Sequence, residues 1–331
     1  MEPARLRLSY RPPLDWTALI EFLAARATPG VEAVRAGRYR RTIAAGARTG
    51  TIEVWPCGSR PALNLVIRFP DARARDAIVE RARRVFDLDA DPAAVARHLS
   101  GDALLGPVMA RHPGLRAPGA WDGFEVSVRA ILGQQVSVAA ATTIAGRLAR
   151  SFGSPCQGEH GLDRIFPTAR QLASAPIESC GVIPARAETI RTLARFVVSG
   201  ELDLAAAAAP ADLTRALQTL RGIGPWTAQY IAMRALGDRD AFLSGDLVLR
   251  RMAGDATARS LEAQSERWRP WRTYAVMLLW QAARDVQKDM DEVGPLRSIS
   301  NDARGDRRGS GRGQEHSGPP ARRPVSQRVV R

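Results

Sequence analysis

The stretch "LRGIGPWTAQY", Leu220 to Tyr230, decides the fold. On either side, "ADLTRALQTL" (211–220) and "PWTAQYIAMRAL" (225–236) carry apolar residues at helical spacing. Between them lies the short link "RGIG". Gly222 and Gly224 permit backbone angles that other residues avoid. Pro225 suits the first turn of a helix, where its missing N–H costs nothing. The free N–H groups at that helix start stand beside two residues without side chains, a place where a phosphate approaches closely. An ordinary tight turn between helices uses the same residues, so the motif gains weight from its surroundings.

Upstream, residues 1–90 mix strand and helix signals. "YRRTIAAG" (39–46), "TGTIEVWP" (49–56) and "ALNLVIRF" (62–69) are β-rich runs separated by Gly and Pro. "LDWTALIEFLAARA" (14–27) reads as a helix with Leu19, Phe22 and Leu23 on one face. From about residue 91 the strand signals fade. A long helical run is expected from Asp122 to Gly153, others over 184–200 and 271–285, and a further one at "LDLAAAAA" (202–209). The fold class expected is α+β: a small antiparallel β-sheet with helices, then a mostly α-helical body carrying the hairpin. The divisions expected are residues 1–90, 91–120 with 239–288, 121–238, and a tail from 289 to 331.

Composition narrows the partners. The 331 residues carry a formal net charge of +14, and Lys288 is the only lysine. A GC-rich genome accounts for arginine over lysine, but not for the excess of base over acid. That excess favours a polyanion, nucleic acid first. Residues 294–331 hold nine Arg against three acidic residues, with much Gly, Pro and Ser and no aromatic residue. Such a segment buries too little apolar surface to offset its ordering entropy, so a disordered basic tail is expected. Cys57, Cys156 and Cys180 lie far apart and suggest neither a disulfide framework nor a metal motif. The N-terminus lacks a signal-peptide core and no run is long enough to span a membrane, so a cytoplasmic, nucleoid-associated location is expected; the protein is also expected to be a monomer.

Longer segments now carry a specific likeness. "LRGIGPWTAQYIAMRALGDRDAFLSGD" (220–246) resembles the helix-hairpin-helix, Gly/Pro, aspartate pattern of the DNA base-excision glycosylase superfamily. "RPPLDWTALIEFLAARA" (11–27), "FEVSVRAILGQQVSVAAATTIAGRLA" (124–149) and "RWRPWRTYAVMLLW" (267–280) are similar to its AlkA type, DNA-3-methyladenine glycosylase II. The likeness spans residues 8–284.

The resemblance implies a monofunctional enzyme that flips alkylated bases out of double-stranded DNA and hydrolyses the N-glycosyl bond. Asp246, whose ordinary role would be a helix cap, matches the catalytic aspartate. Phe22, Trp226, Tyr230 and Trp280 match the base pocket, with Leu247 where a well-known member has tyrosine. Trp226 and Tyr230 are four apart and share a helix face. Gly222, Gly224, Pro225 and Thr227 match the phosphate grip. Gln135 stands where a well-known member places a leucine wedge. Trp268, Trp271 and Tyr274 are expected in the core. No cofactor is implied. The lysine of bifunctional relatives is replaced by Trp226, and no iron–sulfur cysteines follow the hairpin. The carbonyls of Gln218, Leu220 and Ile223 match a site that can hold Na or K. The rival readings are a non-catalytic DNA-binding protein that kept the hairpin and a lyase-type glycosylase. A transcriptional role would call for an appended regulatory domain, and no segment reads as one.

Overall fold

The computed structural model describes residues 2–204 and 209–293. Residues 294–331, most of the expected tail, lie outside the described residues. So do 205–208, four of the five alanines of the "LDLAAAAA" run.

Five strands form one antiparallel sheet in the order β1-β5-β4-β3-β2. They are β1 (Ala4–Ser9), β2 (Glu32–Arg35), β3 (Arg38–Ala45), β4 (Arg48–Pro56) and β5 (Ala62–Arg68). Alternation fixes the register, because a slip of one residue would turn the apolar set to solvent. Leu8 pairs with Leu63, Ile52 with Ile67 and Val54 with Leu65. The edge strands β1 and β2 escape the sequence reading. In β1, Leu6 and Leu8 alternate with Arg5 and Arg7, a period-two signal legible in retrospect. On the inner face lie α1 (Trp16–Ala24) and α2 (Arg75–Val85). Leu19, Phe22 and Leu23 of α1 are all buried there.

The body contains α3 (Pro92–Leu99), α4 (Gly106–Arg111), α5 (Gly123–Leu132), α6 (Val138–Phe152), α7 (Ala169–Leu172) and α8 (Pro184–Ser199). It continues with α9 (Pro210–Gln218), α10 (Pro225–Ile231), α11 (Leu247–Met252), α12 (Ala258–Ser265) and α13 (Arg272–Val293). The helix expected across 122–153 is two helices. Gly133 ends α5, Ser137 caps α6 by accepting from the Ala140 N–H, and Gln135 between them has a positive φ of 57°. The final helix runs on to Val293, past the expected tail boundary at 289.

Buried apolar residues gather in three cores. The first is the sheet with α1 and α2. The second is built on α5, α6 and α8 to α10. The third joins α3 and α4 to α11, α12 and α13, and includes Trp268 and Tyr274, with Trp271 packed against it.

A buried charge network ties the first core to the second. Arg41, on β3 and 3% exposed, donates to Glu125 of α5 at 2.8 Å and lies 3.6 Å from Glu32. Arg129, one turn along α5, lies 2.8 Å from Glu32 and 3.2 Å from Glu125. Tyr39 donates its hydroxyl to Glu32 at 2.6 Å. Burial pushes the Glu32 carboxyl up, but Arg129 and Arg41 together hold it below its ordinary value. Removing one partner of a buried network leaves an uncompensated charge. Arg41→Ala is therefore expected to destabilise the protein by about 3–5 kcal/mol in urea unfolding. A loss near zero would mean that the network does not hold the sheet to α5.

Candidate active site

The hairpin is α9, the turn 219–224 and α10. Leu220 and Ile223 point inward and are 4% and 5% exposed. The two glycines answer different needs. Gly222 has φ +94°, and a Cβ there would meet Thr189 Oγ1 at 2.2 Å, so the fold itself requires glycine. Gly224 has an ordinary extended backbone, and a Cβ there would meet nothing within 4 Å. No internal contact demands Gly224, which leaves an open face before the start of α10, with Pro225 in its first turn. In the turn, the Leu220 carbonyl accepts the Ile223 N–H at 3.0 Å.

Gln135 is exposed at the α5–α6 turn on the rim of the main cleft. Its left-handed backbone costs roughly 1–3 kcal/mol and persists only where neighbours impose it. Those neighbours are visible. Gln134 donates its side-chain amide to the Gly222 carbonyl at 2.9 Å and to Thr227 Oγ1 at 3.0 Å. Arg186 of α8 donates to the Gln134 carbonyl at 2.6 Å. Thr227 lines the same cleft. It is 3% exposed, and its hydroxyl supports the Gln134 turn rather than facing solvent.

Asp246 caps α11. Its Oδ1 accepts from the Val248 and Leu249 N–H groups at 2.9 and 3.0 Å. Two indoles also reach the carboxylate. Trp226 Nε1 donates to Oδ2 at 3.1 Å, and Trp280 Nε1 to Oδ1 at 3.4 Å. A cap alone needs only the backbone pair, so the indole contacts place the carboxylate against an aromatic wall. In that wall Trp226 and Tyr230 stack with ring centres 5.3 Å apart and planes 6° apart. Trp280 lies 6.3 Å from both Tyr230 and Phe22. Leu247, 63% exposed, stands beside Asp246 at the cleft edge. The cleft holds about 1590 Å³ and brings together Phe22, Gln135, Gly222, Gly224, Trp226, Thr227, Tyr230, Asp246, Leu247 and Trp280. Six arginines and two acidic residues line it, a balance suited to a polyanion.

Two pocket residues escape the sequence reading. Arg234 is 6% exposed, in the π-helical turn Ala232–Leu236 that follows α10. It donates to the Tyr230 hydroxyl at 2.9 Å and to the Gly119 carbonyl at 3.2 Å. Arg26 lies over the Phe22 ring. Burial raises the Tyr230 phenol pKa, but Arg234, Arg26 and Arg129 outweigh it and bring it below the ordinary value. Spacing was the available signal: Trp226, Tyr230 and Arg234 recur every four residues, as do Phe22 and Arg26.

A hairpin with an open glycine face, a basic cleft and one carboxylate against indoles define a helix-hairpin-helix protein of the base-excision class. Residues 5–122 match the AlkA N-terminal domain, and residues 128–269 match the HhH-GPD superfamily base excision DNA repair proteins. The chain is 35% identical over 279 residues to DNA-3-methyladenine glycosylase 2 of Escherichia coli, covering 82% of this chain and 95% of that one. It belongs to that family, the AlkA-type helix-hairpin-helix DNA glycosylases. It is also 42% identical over 283 residues to the probable bifunctional transcriptional activator/DNA repair enzyme AlkA of Mycobacterium tuberculosis, covering 83% of this chain. The match takes in 56% of that relative, so the chain spans little more than half of its length. The 3-methyladenine DNA-glycosylase from Archaeoglobus fulgidus shares the fold, with a TM-score of 0.74 at 23% identity over 84% of this chain and 98% of that one.

The two glycines make separable predictions. Gly222→Ala is expected to lower stability by about 1–3 kcal/mol through its positive φ and the Thr189 clash. Adding Thr189→Ala should restore only part, since the backbone cost remains. Gly224→Ala should leave stability within about 0.5 kcal/mol while weakening duplex DNA binding several-fold. Native affinity in Gly224→Ala would show that nothing approaches that face.

Proposed function

We propose that the protein is a monofunctional DNA N-glycosylase that extrudes alkylated bases from duplex DNA and hydrolyses the N-glycosyl bond, leaving an abasic site. One observation carries this reading: the Asp246 carboxylate is held by two indole N–H groups at 3.1 and 3.4 Å, inside an aromatic cleft.

The chemistry follows from charge. An N3-alkylated purine is already cationic and leaves readily, needing little help from an acid. The difficult species is the sugar, which turns positive as the bond breaks. A carboxylate about 4 Å away at an effective dielectric near 20 offers roughly 4 kcal/mol, or about three powers of ten in rate. Loss of solvation reduces that figure, so it is an upper bound. Orienting the attacking water is a second role open to the same carboxylate. Extrusion itself costs a few kcal/mol. Stacking on Trp226, Tyr230, Trp280 and Phe22 returns about 1–3 kcal/mol per base and tolerates many bases. Gln135 fills the vacated space in the duplex, and Gly222, Gly224 and the first amides of α10 take the phosphates. A monovalent cation on the carbonyls of Gln218, Leu220 and Ile223 would add positive charge beside that phosphate, and no bond-breaking step depends on it.

The non-catalytic alternative leaves the indole contacts to Asp246 without purpose. A lyase route requires an amine in the cleft. The only lysine, Lys288, has its Nζ 3.0 Å from both carboxylate oxygens of Glu21.

The test is base release from methylated duplex DNA. Asp246→Asn retains an oxygen that can cap α11 but loses the negative charge, and release should fall by up to about a thousandfold with duplex affinity maintained. Activity within a few-fold of native would remove Asp246 from the chemistry. The product strand should break only on added alkali. A covalent adduct trapped by borohydride would instead reveal an amine nucleophile.

A further inference from the structure

The aromatic pocket already contains a cation. Arg26 stands one turn after Phe22 on the α1 side of the cleft. Its guanidinium carbon lies 3.8 Å from the centre of the Phe22 ring and 5.9 Å from that of Trp280. Its Nη1 donates to the Phe22 carbonyl at 3.3 Å. Phe22 is left 4% exposed, so a base cannot stack on this ring while Arg26 covers it.

Neighbouring arginines differ from Arg26 in one respect. Arg129 is paired with Glu32 and Glu125, and Arg234 is tied to the Tyr230 hydroxyl and the Gly119 carbonyl. Among the described residues no carboxylate faces Arg26. Its neighbours are the Tyr230 phenol and the like charges of Arg234 and Arg129. Burial first, then Arg234, lowers its pKa to about 10, so it is still charged at neutral pH. A cation without a carboxylate partner is held here by ring faces and by hydrogen bonds to the Tyr230 hydroxyl and the Phe22 carbonyl, contacts that a better partner can replace. A guanidinium is planar, delocalised and positive, as an N-alkylated purine is.

We propose that Arg26 is a displaceable plug that sets the specificity of the base pocket. In the free protein it occupies the face of Phe22, and an extruded base enters by displacing it towards a DNA phosphate. Competition then grades bases by how firmly they hold the aromatic wall. An electron-poor alkylated base replaces one cation–π contact with another. An undamaged, neutral base replaces it with weaker stacking and is more readily expelled.

The proposal rests on the glycosylase reading, so its test is separated from catalysis by using a free base without DNA. Native protein, Arg26→Ala and Arg26→Lys are titrated with 3,9-dimethyladeninium, whose N9 substituent keeps the ring positive as it is in DNA, followed by the fluorescence of the pocket tryptophans. With the competing cation–π contact removed, Arg26→Ala should bind at least about fivefold more tightly than native. Arg26→Lys, which keeps the charge but loses the planar fork, should fall between. Should Arg26→Ala fail to fold, the lysine variant carries the test through its gain of about twofold. On duplex carrying an extruded lesion analogue, but not on undamaged duplex, Arg26→Ala should also flatten the slope of log affinity against log salt by about 0.9, the loss of one phosphate contact. Unchanged or weaker base binding would overturn the plug and make Arg26 a fixed part of the pocket. Absence of base release by the native protein would overturn the glycosylase reading and leave the titration standing.

Discussion

The candidate site depends on a registry between separately packed cores. Phe22 stands in the sheet core on α1, Trp226 and Tyr230 on α10, and Trp280 on α13. The charge network of Glu32, Arg41, Glu125 and Arg129 fixes the sheet to α5, and Glu21 of α1 pairs with Arg284 and Lys288 of α13. Arg129 donates to the Arg26 carbonyl just past the end of α1, so the network grips the segment that carries Phe22. Apolar packing alone would allow sliding, because one aliphatic contact replaces another at little cost. Charges removed from water lack that freedom, since each displaced partner leaves an unpaired ion. The hypothesis for this chain is that the network is kept for geometry more than for net stability. Each core could pack without it, but the aromatic wall would lose its alignment.

The hairpin adds a second constraint, on the backbone. Gly222 satisfies the inside of the protein, where Thr189 leaves no room for a side chain. Gly224 has open space around it and satisfies whatever approaches from outside. Gln134 bonds across to the Gly222 carbonyl and to Thr227, which joins the Gln135 turn to the hairpin. The Gln135 turn and the hairpin are therefore tied to one another by two side-chain hydrogen bonds. The cost of the positive φ at Gln135 is sustained by these bonds.

Much of this was legible in the sequence where a local rule applied. Glycines, a proline and helical spacing located the hairpin. Alternating apolar residues located β3, β4 and β5. The edge strands were not read, because β2 spans only Glu32–Arg35 and β1 begins among the first residues of the chain. The long helix over 122–153 was read as continuous because residues 133–137 contain no proline, and the break depends on Gln135 adopting a backbone that glutamine rarely takes. Of the expected pocket, Asp246 and the aromatic residues meet in one cleft. Arg26 and Arg234 stayed hidden among the many arginines, whose abundance reads as surface charge. Only tertiary packing separates an arginine over Phe22 from one in solvent.

The cleft must satisfy two opposite electrostatic demands. A duplex is a polyanion, while an alkylated base and the sugar left behind are positive. The structure meets the first with arginines around the cleft and the second with one carboxylate, and it separates them with aromatic rings. Coulomb energy falls only as the inverse of distance, so spacing by itself would not isolate Asp246 from those arginines. Trp226 and Trp280 supply the difference. They donate N–H groups that fix the carboxylate while filling the space around it with carbon. The rings proposed to stack on a base are thus the same ones that hold Asp246 in place.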